Sequence, residues 1–215
     1  MTDRRPVFII GGGGHAKVVV DTARVCGHEI VGIVDADPSM TGSTVGGIKI
    51  VGTDAAIQEY GPGDIFLANG VGNVLNGNKR RAVYETFREK KYTFITLVHP
   101  SAIVSKGVAL GEGAQIMAGA VVQPDTHIGE NAIVNSRASV DHDCDIGADA
   151  HVAPGAVLCG GVRVGPGTHV GAGATVVENV NIGAAVLVAA GAVVTSDVAD
   201  NAKVAGVPAR VITNG

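Results

Sequence analysis

The chain has 215 residues, a formal net charge of −4, 32 glycines, no tryptophan and only 3% aromatic residues. The acidic balance argues against a protein that binds nucleic acid or anionic lipid. With so few aromatic side chains, the core has to be built from aliphatic residues and alanine. An ordinary globule with aromatic anchors is therefore not expected.

No segment predicts export or membrane insertion. The longest nearly apolar run, residues 184–194, is too short to cross a bilayer. Charges and four glycines interrupt the first 20 residues, where a signal peptide needs an unbroken apolar stretch. The three cysteines, Cys26, Cys144 and Cys159, lack metal-like spacing and suit reduced thiols. These features predict a cytoplasmic protein.

Composition divides the chain near Ile95. All seven aromatic residues precede this position and none follows it. Charge also divides there, because the second part carries 5 basic and 10 acidic side chains while the first is nearly balanced. We therefore predict two domains, residues 1–94 and residues 95–215.

The first domain alternates strands with helices. In chain order we predict a strand at 7–10, a helix at 15–25, strands at 30–35 and 48–51, a short helix at 54–60 capped by Thr53, a strand at 64–68 and a helix at 78–91. Such alternation indicates a parallel sheet. The predicted fold is an α/β half-Rossmann-like domain, since a full dinucleotide fold needs two such halves.

A glycine turn, Gly11–Gly14, lies between the first strand and the first helix, and Asp35 ends the next strand. In a dinucleotide fingerprint, the glycine amides and the helix N-terminus hold a diphosphate and the acid holds a ribose. A nucleotide-linked small molecule fits better than NAD, which needs a second half-domain. A purely structural turn is the alternative. The candidate nucleotide-binding residues are Gly13, Gly14, His15, Asp35 and, in the loop after the 64–68 strand, Asn73.

The second domain is a repeat. Every sixth residue from Val98 to Val194 is isoleucine, leucine or valine, and a small or β-branched residue follows four positions later. This is the hexapeptide signature of a parallel β-helix with triangular coils of eighteen residues. Residues eighteen apart should stack on neighbouring coils. The glycines that recur from Gly111 to Gly183 are expected to adopt backbone angles that a side chain would resist.

A β-helix is only a scaffold, so the residues that break its pattern are the candidates for chemistry. The densest break runs from Asn135 to Asp145 and contains His142 between Asp141 and Asp143. A histidine flanked by acids suits a general base, because carboxylates orient the ring and support its cationic form. The alternative is a solvated acidic corner with an idle histidine.

Two further histidines, His151 and His169, lie eighteen residues apart and should stack. They could contribute to a metal site, but such a site needs a third ligand. His127 and His142 fall at other positions of the coil, so no metal is expected.

Four features of the sequence together resemble one family over essentially the whole chain. They are the glycine turn with His15, the hexapeptide repeats, the stretch from Asp141 to Cys144 and the C-terminal stretch 206–210. It is the family of sialic-acid O-acetyltransferases and bacillosamine-pathway sugar N-acetyltransferases. The resemblance implies a left-handed β-helix, a homotrimer with active sites between neighbouring β-helices, and a role in O-antigen or lipopolysaccharide biosynthesis. It implies transfer of an acetyl group from acetyl-CoA to an amino group, at C4, of a GDP- or UDP-linked sugar.

The resemblance also implies residue roles. His142 matches the catalytic base of the family, and Asp143 matches the acid beside it. Asp141 and Asn135 match positions that help to arrange the base and the acceptor. The acetyl-CoA site matches His151, Gly160 and Gly161, and the sugar-nucleotide site matches Gly14, His15 and Asp35. Because Asp143 stands where family members carry glutamate, its contact to His142 needs testing.

Three other functions remain open on the residues alone. One is a sugar O-acetyltransferase with the same fold and donor. Another is a metal-dependent β-helix lyase or hydrolase that uses His151 and His169. The last is a sugar-nucleotide sensor without catalysis.

Overall fold

A computed structural model describes residues 5–72 and 78–212 of the chain. The chain forms two compact units, Met1–Leu97 and Val98–Gly215. The division thus falls slightly beyond the position at which composition changes. No helix of the described residues is long and apolar enough to span a lipid bilayer.

The first unit is an α/β layer structure. Its elements are β1 (Val7–Ile10), α1 (Gly14–Val25), β2 (Ile30–Val34), β3 (Thr44–Val45), β4 (Ile48–Gly52), β5 (Phe66–Asn69), α2 (Lys79–Glu89) and β6 (Thr93–Phe94). The strand order is β3-β4-β2-β1-β5-β6, and every pairing is parallel except that of β3 with β4. The order therefore reverses at β1, which is where open α/β sheets bind ligands beyond the carboxyl ends of their strands.

The predicted elements of this unit are present, with differences at the short ones. Two 3₁₀ helices occupy Pro38–Met40 and Asp54–Glu59. Thr53 lies at the N-cap position of the second, but its side chain makes no capping hydrogen bond, so the predicted cap is wrong. Strands β3 and β6 escaped prediction because two residues are too few to show a period of two.

The second unit is a left-handed β-helix that is made, up to β23, of two-residue strands and four-residue corners. Its first strands are β7 (Leu97–Val98), β8 (Ile103–Val104), β9 (Ala109–Leu110), β10 (Gln115–Ile116), β11 (Val121–Val122), β12 (His127–Ile128), β13 (Ile133–Val134), β14 (Ser139–Val140) and β15 (Asp145–Ile146). The others are β16 (His151–Val152), β17 (Val157–Leu158), β18 (Arg163–Val164), β19 (His169–Val170), β20 (Thr175–Val176), β21 (Asn181–Ile182), β22 (Leu187–Val188), β23 (Val193–Val194), β24 (Lys203–Ala205) and β25 (Arg210–Val211).

Every third strand belongs to the same sheet, so the β-helix has three faces. The first face runs from β7 through β10, β13, β16, β19 and β22 to β24 and β25, the second from β8 to β23, and the third from β9 to β21. From β8 to β23, strands of one face pair in parallel at a spacing of eighteen residues, as in Val140 with Leu158. At the C-terminal end, β22 pairs with β24 through Leu187 and Lys203, and β24 pairs antiparallel with β25. The repeated aliphatic residues fill the prism, and Val122, Val140 and Leu158 have no exposed surface. The predicted stacking is confirmed.

The recurring glycines serve a different purpose from the one predicted. Left-handed backbone angles occur two residues later, at positions such as Asp149 and Gly167 (φ 60° and 68°). At Gly147, by contrast, a Cβ atom would lie 2.7 Å from the backbone nitrogen of Pro166 in the next coil. Glycine is required in this row because successive coils approach too closely for a side chain, so the predicted reason is wrong.

This distinction predicts two different losses of stability. Gly147→Ala should lower the free energy of unfolding more than Gly167→Ala, because the new methyl group meets backbone that cannot rotate away. Gly167 has open space around a Cβ atom, so its alanine variant should lose only about 1–2 kcal/mol through left-handed strain. Denaturant unfolding measures both, and equal losses would contradict the close-approach explanation.

Candidate active site

His142 lies in the corner between β14 and β15, where the polar break in the repeat predicted a site. Its backbone N–H donates to Asp141 Oδ1 at 2.8 Å, and its ring Nδ1 lies 2.7 Å from Asp143 Oδ2. Asp143 has a left-handed backbone (φ 58°), which aspartate tolerates better than most residues. The shorter aspartate side chain therefore reaches the histidine ring.

The two carboxylates change the acidity of His142. The hydrogen bond to Asp143, and then the charge of Asp141, raise the pKa of His142 above its ordinary value. With Nδ1 donating to Asp143, Nε2 of the neutral ring is free to accept a proton. The His142 side chain is 61% exposed in the single chain, so it is open to a substrate.

Gly160, eighteen residues after His142, lies beneath the histidine ring. A Cβ atom at Gly160 would approach Cε1 and Nε2 of His142 to 2.6 and 2.8 Å. Gly161, in the same corner, donates its backbone N–H to the His142 carbonyl at 2.9 Å and has a left-handed φ of 71°. The structure therefore brings Gly160 and Gly161 together with the predicted base.

Asn135 and His151 form a second group, which belongs to the first face of the β-helix. Asn135 Nδ2 lies 3.0 Å from His151 Nε2, and Asn135 Oδ1 accepts the Ser136 N–H. His151 is buried, and its ring packs edge-on against His169 with 4.8 Å between ring centroids. Asn135 therefore orients His151, and its side-chain hydrogen bonds do not include His142.

His169 is the partly buried member of this histidine pair. Its Nδ1 is buried without a hydrogen-bond partner, and burial lowers the pKa of the ring. Within residues 5–72 and 78–212, no three His, Cys, Asp or Glu side chains are grouped so that they could hold a metal ion. The third ligand that the alternative metal site needs is thus not found in this part of the chain.

The glycine turn of the first unit lies at the carboxyl end of β1. Gly13 is the N-cap of α1, and neither Gly13 nor Gly14 has an atom within 4 Å of a Cβ position. Asp35 Oδ2 accepts the Gly12 N–H at 2.6 Å, and Oδ1 accepts the Asp37 N–H at 2.9 Å. Asp35 therefore also supports the turn itself, a role that the motif did not indicate.

A second loop at the same edge of the sheet follows Asn69, the last residue of β5. Buried Arg80, which sequence reasoning missed, donates from Nη1 to the Asn69 and Val71 carbonyls at 3.0 and 2.8 Å. A Cβ atom at Gly72 would lie 3.3 Å from His15 Cβ, so this loop adjoins the helix start. Predicted Asn73 lies outside the described residues. In the sequence, the one feature that pointed to this contact was the position of Arg80 in the first turn of α2.

Comparison with protein-family models gives two matches. Residues 6–87 match the PglD N-terminal domain, and residues 107–142 and 125–160 match the bacterial transferase hexapeptide model of six repeats. The chain is also 39% identical over 116 residues to UDP-N-acetylbacillosamine N-acetyltransferase of Bacillus subtilis. That alignment covers 52% of this chain, and the chain spans about half (51%) of the length of this relative.

Solved structures match over nearly the whole chain. A histidine-to-asparagine variant of perosamine N-acetyltransferase from Caulobacter crescentus, in complex with CoA and GDP-perosamine, is 40% identical with 97% of each chain covered and a TM-score of 0.91. The chain belongs to the hexapeptide-repeat sugar N-acetyltransferase family. The acetyltransferase domain of PglB from Neisseria gonorrhoeae, in complex with acetyl coenzyme A, is 35% identical, with 98% of this chain and 100% of that chain covered and a TM-score of 0.90. The family predicted from the sequence is therefore confirmed.

The acidity of His142 in this family member can be tested without substrate. Asp143→Asn should lower the pKa of His142, because asparagine tolerates the left-handed backbone but carries no charge. A nuclear magnetic resonance titration of the histidine ring measures the change. Asp125→Asn is the control, since Asp125 has the same φ of 58° one coil earlier. An unchanged midpoint in Asp143→Asn would contradict the assigned hydrogen bond.

Proposed function

We propose that the protein transfers an acetyl group from acetyl-CoA to the C4 amino group of a nucleotide-linked amino sugar. The observation that carries this proposal is His142, exposed and hydrogen-bonded to Asp143 above a glycine corner. The family relatives bound to CoA, acetyl-CoA and GDP-perosamine support the donor and the acceptor class. UDP-linked sugars are equally compatible, given the Bacillus subtilis relative.

The proposed reaction proceeds directly within a ternary complex. A sugar amine is mostly ammonium near pH 7 and attacks a thioester only after losing a proton. Neutral His142 takes a proton at Nε2 as the C–N bond forms, and Asp143 stabilises the resulting imidazolium through Nδ1. When the tetrahedral intermediate collapses, the C–S bond breaks and the CoA thiolate takes the proton from His142. Asp141 accepts the backbone N–H of His142 and so holds the backbone of the base in place.

The acetyl-CoA site is proposed at Gly160, Gly161 and His151. Corner amides next to Gly160 can stabilise the developing oxyanion. His151 lies at the start of β16 on the first face, whereas Gly160 follows β17 on the second. These residues belong to different sides of one prism, so a homotrimer, with each site between neighbouring β-helices, would let both contact one acetyl-CoA. Sedimentation of the purified protein tests the trimer.

The sugar nucleotide is proposed to bind at the carboxyl edge of the first unit's sheet. The open N-terminus of α1 at Gly13 and Gly14 favours a diphosphate. His15 and Asp35 flank this position, and Asn73 is proposed to contribute from the second loop. The cytoplasmic location and the role in O-antigen or lipopolysaccharide biosynthesis remain predictions.

Removal of the base tests the reaction. His142→Ala should lower the acetylation rate by at least ~10²-fold while CoA and sugar-nucleotide binding survive. Thiol release from acetyl-CoA is measured over a panel of amino- and hydroxy-sugar nucleotides. Turnover only with hydroxy-sugars would favour the O-acetyltransferase, binding without turnover would favour the sensor, and a near-wild-type rate for His142→Ala would contradict the assigned base.

The glycine turn offers a separate test of the nucleotide site. Gly13→Val should weaken GDP or UDP binding in calorimetry, because its side chain would occupy the space needed by the phosphates. Gly13 has an extended backbone (φ −80°), so valine introduces no strain there. Gly63→Val is the control, since Gly63 also has open space around a Cβ position.

CoA affinity should stay the same in both variants. Tight binding of NAD by the unaltered protein would contradict the nucleotide-sugar assignment. Equal losses of CoA and nucleotide affinity in Gly13→Val would mean that the substitution had damaged the fold.

A further inference from the structure

The inner residue of each β-helix corner influences the corner in the next coil. Where this residue is alanine, the next corner is closed by a backbone hydrogen bond between its fourth and first residues. After Ala120, the Ala138 N–H donates to the Asn135 carbonyl at 3.0 Å. After Ala138, the Ala156 N–H donates to the Ala153 carbonyl at 3.1 Å. A methyl group in the preceding coil therefore leaves room for the corner to close.

The corner that carries His142 is built differently, because Thr126 precedes it. The Thr126 hydroxyl donates to the Asp141 carbonyl at 2.8 Å and accepts the Cys144 N–H at 3.3 Å. These are the two backbone groups that would otherwise bond to each other. Thr126 is only 1% exposed, so its hydroxyl bridges both ends of the catalytic corner from inside the prism.

Cys144 makes a related contact one coil later. Its Sγ lies 3.3 Å from the Cys159 carbonyl and donates to it. Burial raises the pKa of Cys144 to about 11, so the thiol keeps the proton that it donates. Cys159 is the first residue of the corner that contains Gly160. The two corners that meet at His142 and Gly160 are thus each held by a polar side chain from the coil before.

A second threonine bridge of the same kind as Thr126 supplies a control within the same chain. The Thr168 hydroxyl donates to the Gly183 carbonyl at 2.7 Å and accepts the Val186 N–H at 3.0 Å. Thr168 is fully buried, like Thr126. None of the candidate site residues lies in the corner from Gly183 to Val186. Thr126 and Thr168 therefore make equivalent bonds, and only Thr126 makes them to the corner of the base.

We propose that Thr126 is a positioning residue for the reaction, an inference that rests on the proposed role of His142 as its base. Its hydroxyl fixes the separation between Asp141 and Cys144, and the two residues between them are His142 and Asp143. The same corner places the His142 ring over Gly160. A small displacement of a catalytic group from its productive geometry lowers the rate substantially. Thr126 thus acts on the acetyl acceptor through His142 and without touching substrate.

Substitution of Thr126 by alanine tests this proposal and still allows the two backbone groups of the corner to form a hydrogen bond. In Thr126→Ala the Cys144 N–H can donate directly to the Asp141 carbonyl, as in corners that follow an alanine. We expect kcat to fall about tenfold with KM for both substrates nearly unchanged, because ground-state binding does not involve the base. Thr126→Ser keeps the hydroxyl and should restore most of kcat. Thr168→Ala should leave kcat near that of the unaltered protein.

Two measurements separate positioning from general loss of stability. Thermal unfolding should show similar losses for Thr126→Ala and Thr168→Ala. The titration midpoint of the His142 ring, followed by nuclear magnetic resonance, should move toward its ordinary value of about 6.5 only in Thr126→Ala. Equal effects of the two alanine variants on kcat and on the midpoint would overturn the proposal. If the unaltered protein transfers no acetyl group, the proposed function fails, whereas the ring titration still decides whether Thr126 positions His142.

Discussion

Stacking of each residue on the residue eighteen positions later is the constraint on which the β-helix and its candidate site both depend. It places each inward aliphatic side chain on the next, as with Val140 and Leu158, and so builds the core. The same register places Gly160 beneath the His142 ring and Thr126 beneath Cys144. Insertion of one residue between these positions would shift polar residues into the prism and remove the base from its glycine.

In this β-helix, the corners can carry side chains of more varied type than the strands can. A strand of two residues has one inward side chain, whereas a corner exposes side chains that the core does not constrain. His142 and Asp143 use this freedom, and the left-handed backbone of Asp143 brings its short side chain to the ring. The neighbouring carboxylates raise the pKa of His142, which makes it a stronger base in its neutral form. The fold thus sets the position of His142, and the carboxylates of its corner raise its basicity.

The sequence predicted the β-helix well, because a period of six is visible in aliphatic residues alone. It also predicted a histidine flanked by acids but not which acid orients the ring, because that depends on the left-handed backbone of Asp143. The pairing of Asn135 with His151 depends on the stacking of corners and strands in different coils, and the motif gave no sign of it. Similarly, Asp35 contacts the glycine turn across 23 residues of sequence, and only the sheet order brings them together. The repeat pattern also treats all small or β-branched residues at the inner corner position as equivalent. It therefore did not distinguish Thr126, whose hydroxyl bonds to the corner of His142, from an alanine.

A structure of the protein with CoA and a nucleotide-linked amino sugar bound would test the central claim most directly. The account predicts that the sugar amine nitrogen lies within about 3.2 Å of His142 Nε2, or one water molecule away. It also predicts that Asp143 still accepts the Nδ1 hydrogen bond in that complex. An amine bound next to a different base, with His142 turned toward solvent, would contradict the account.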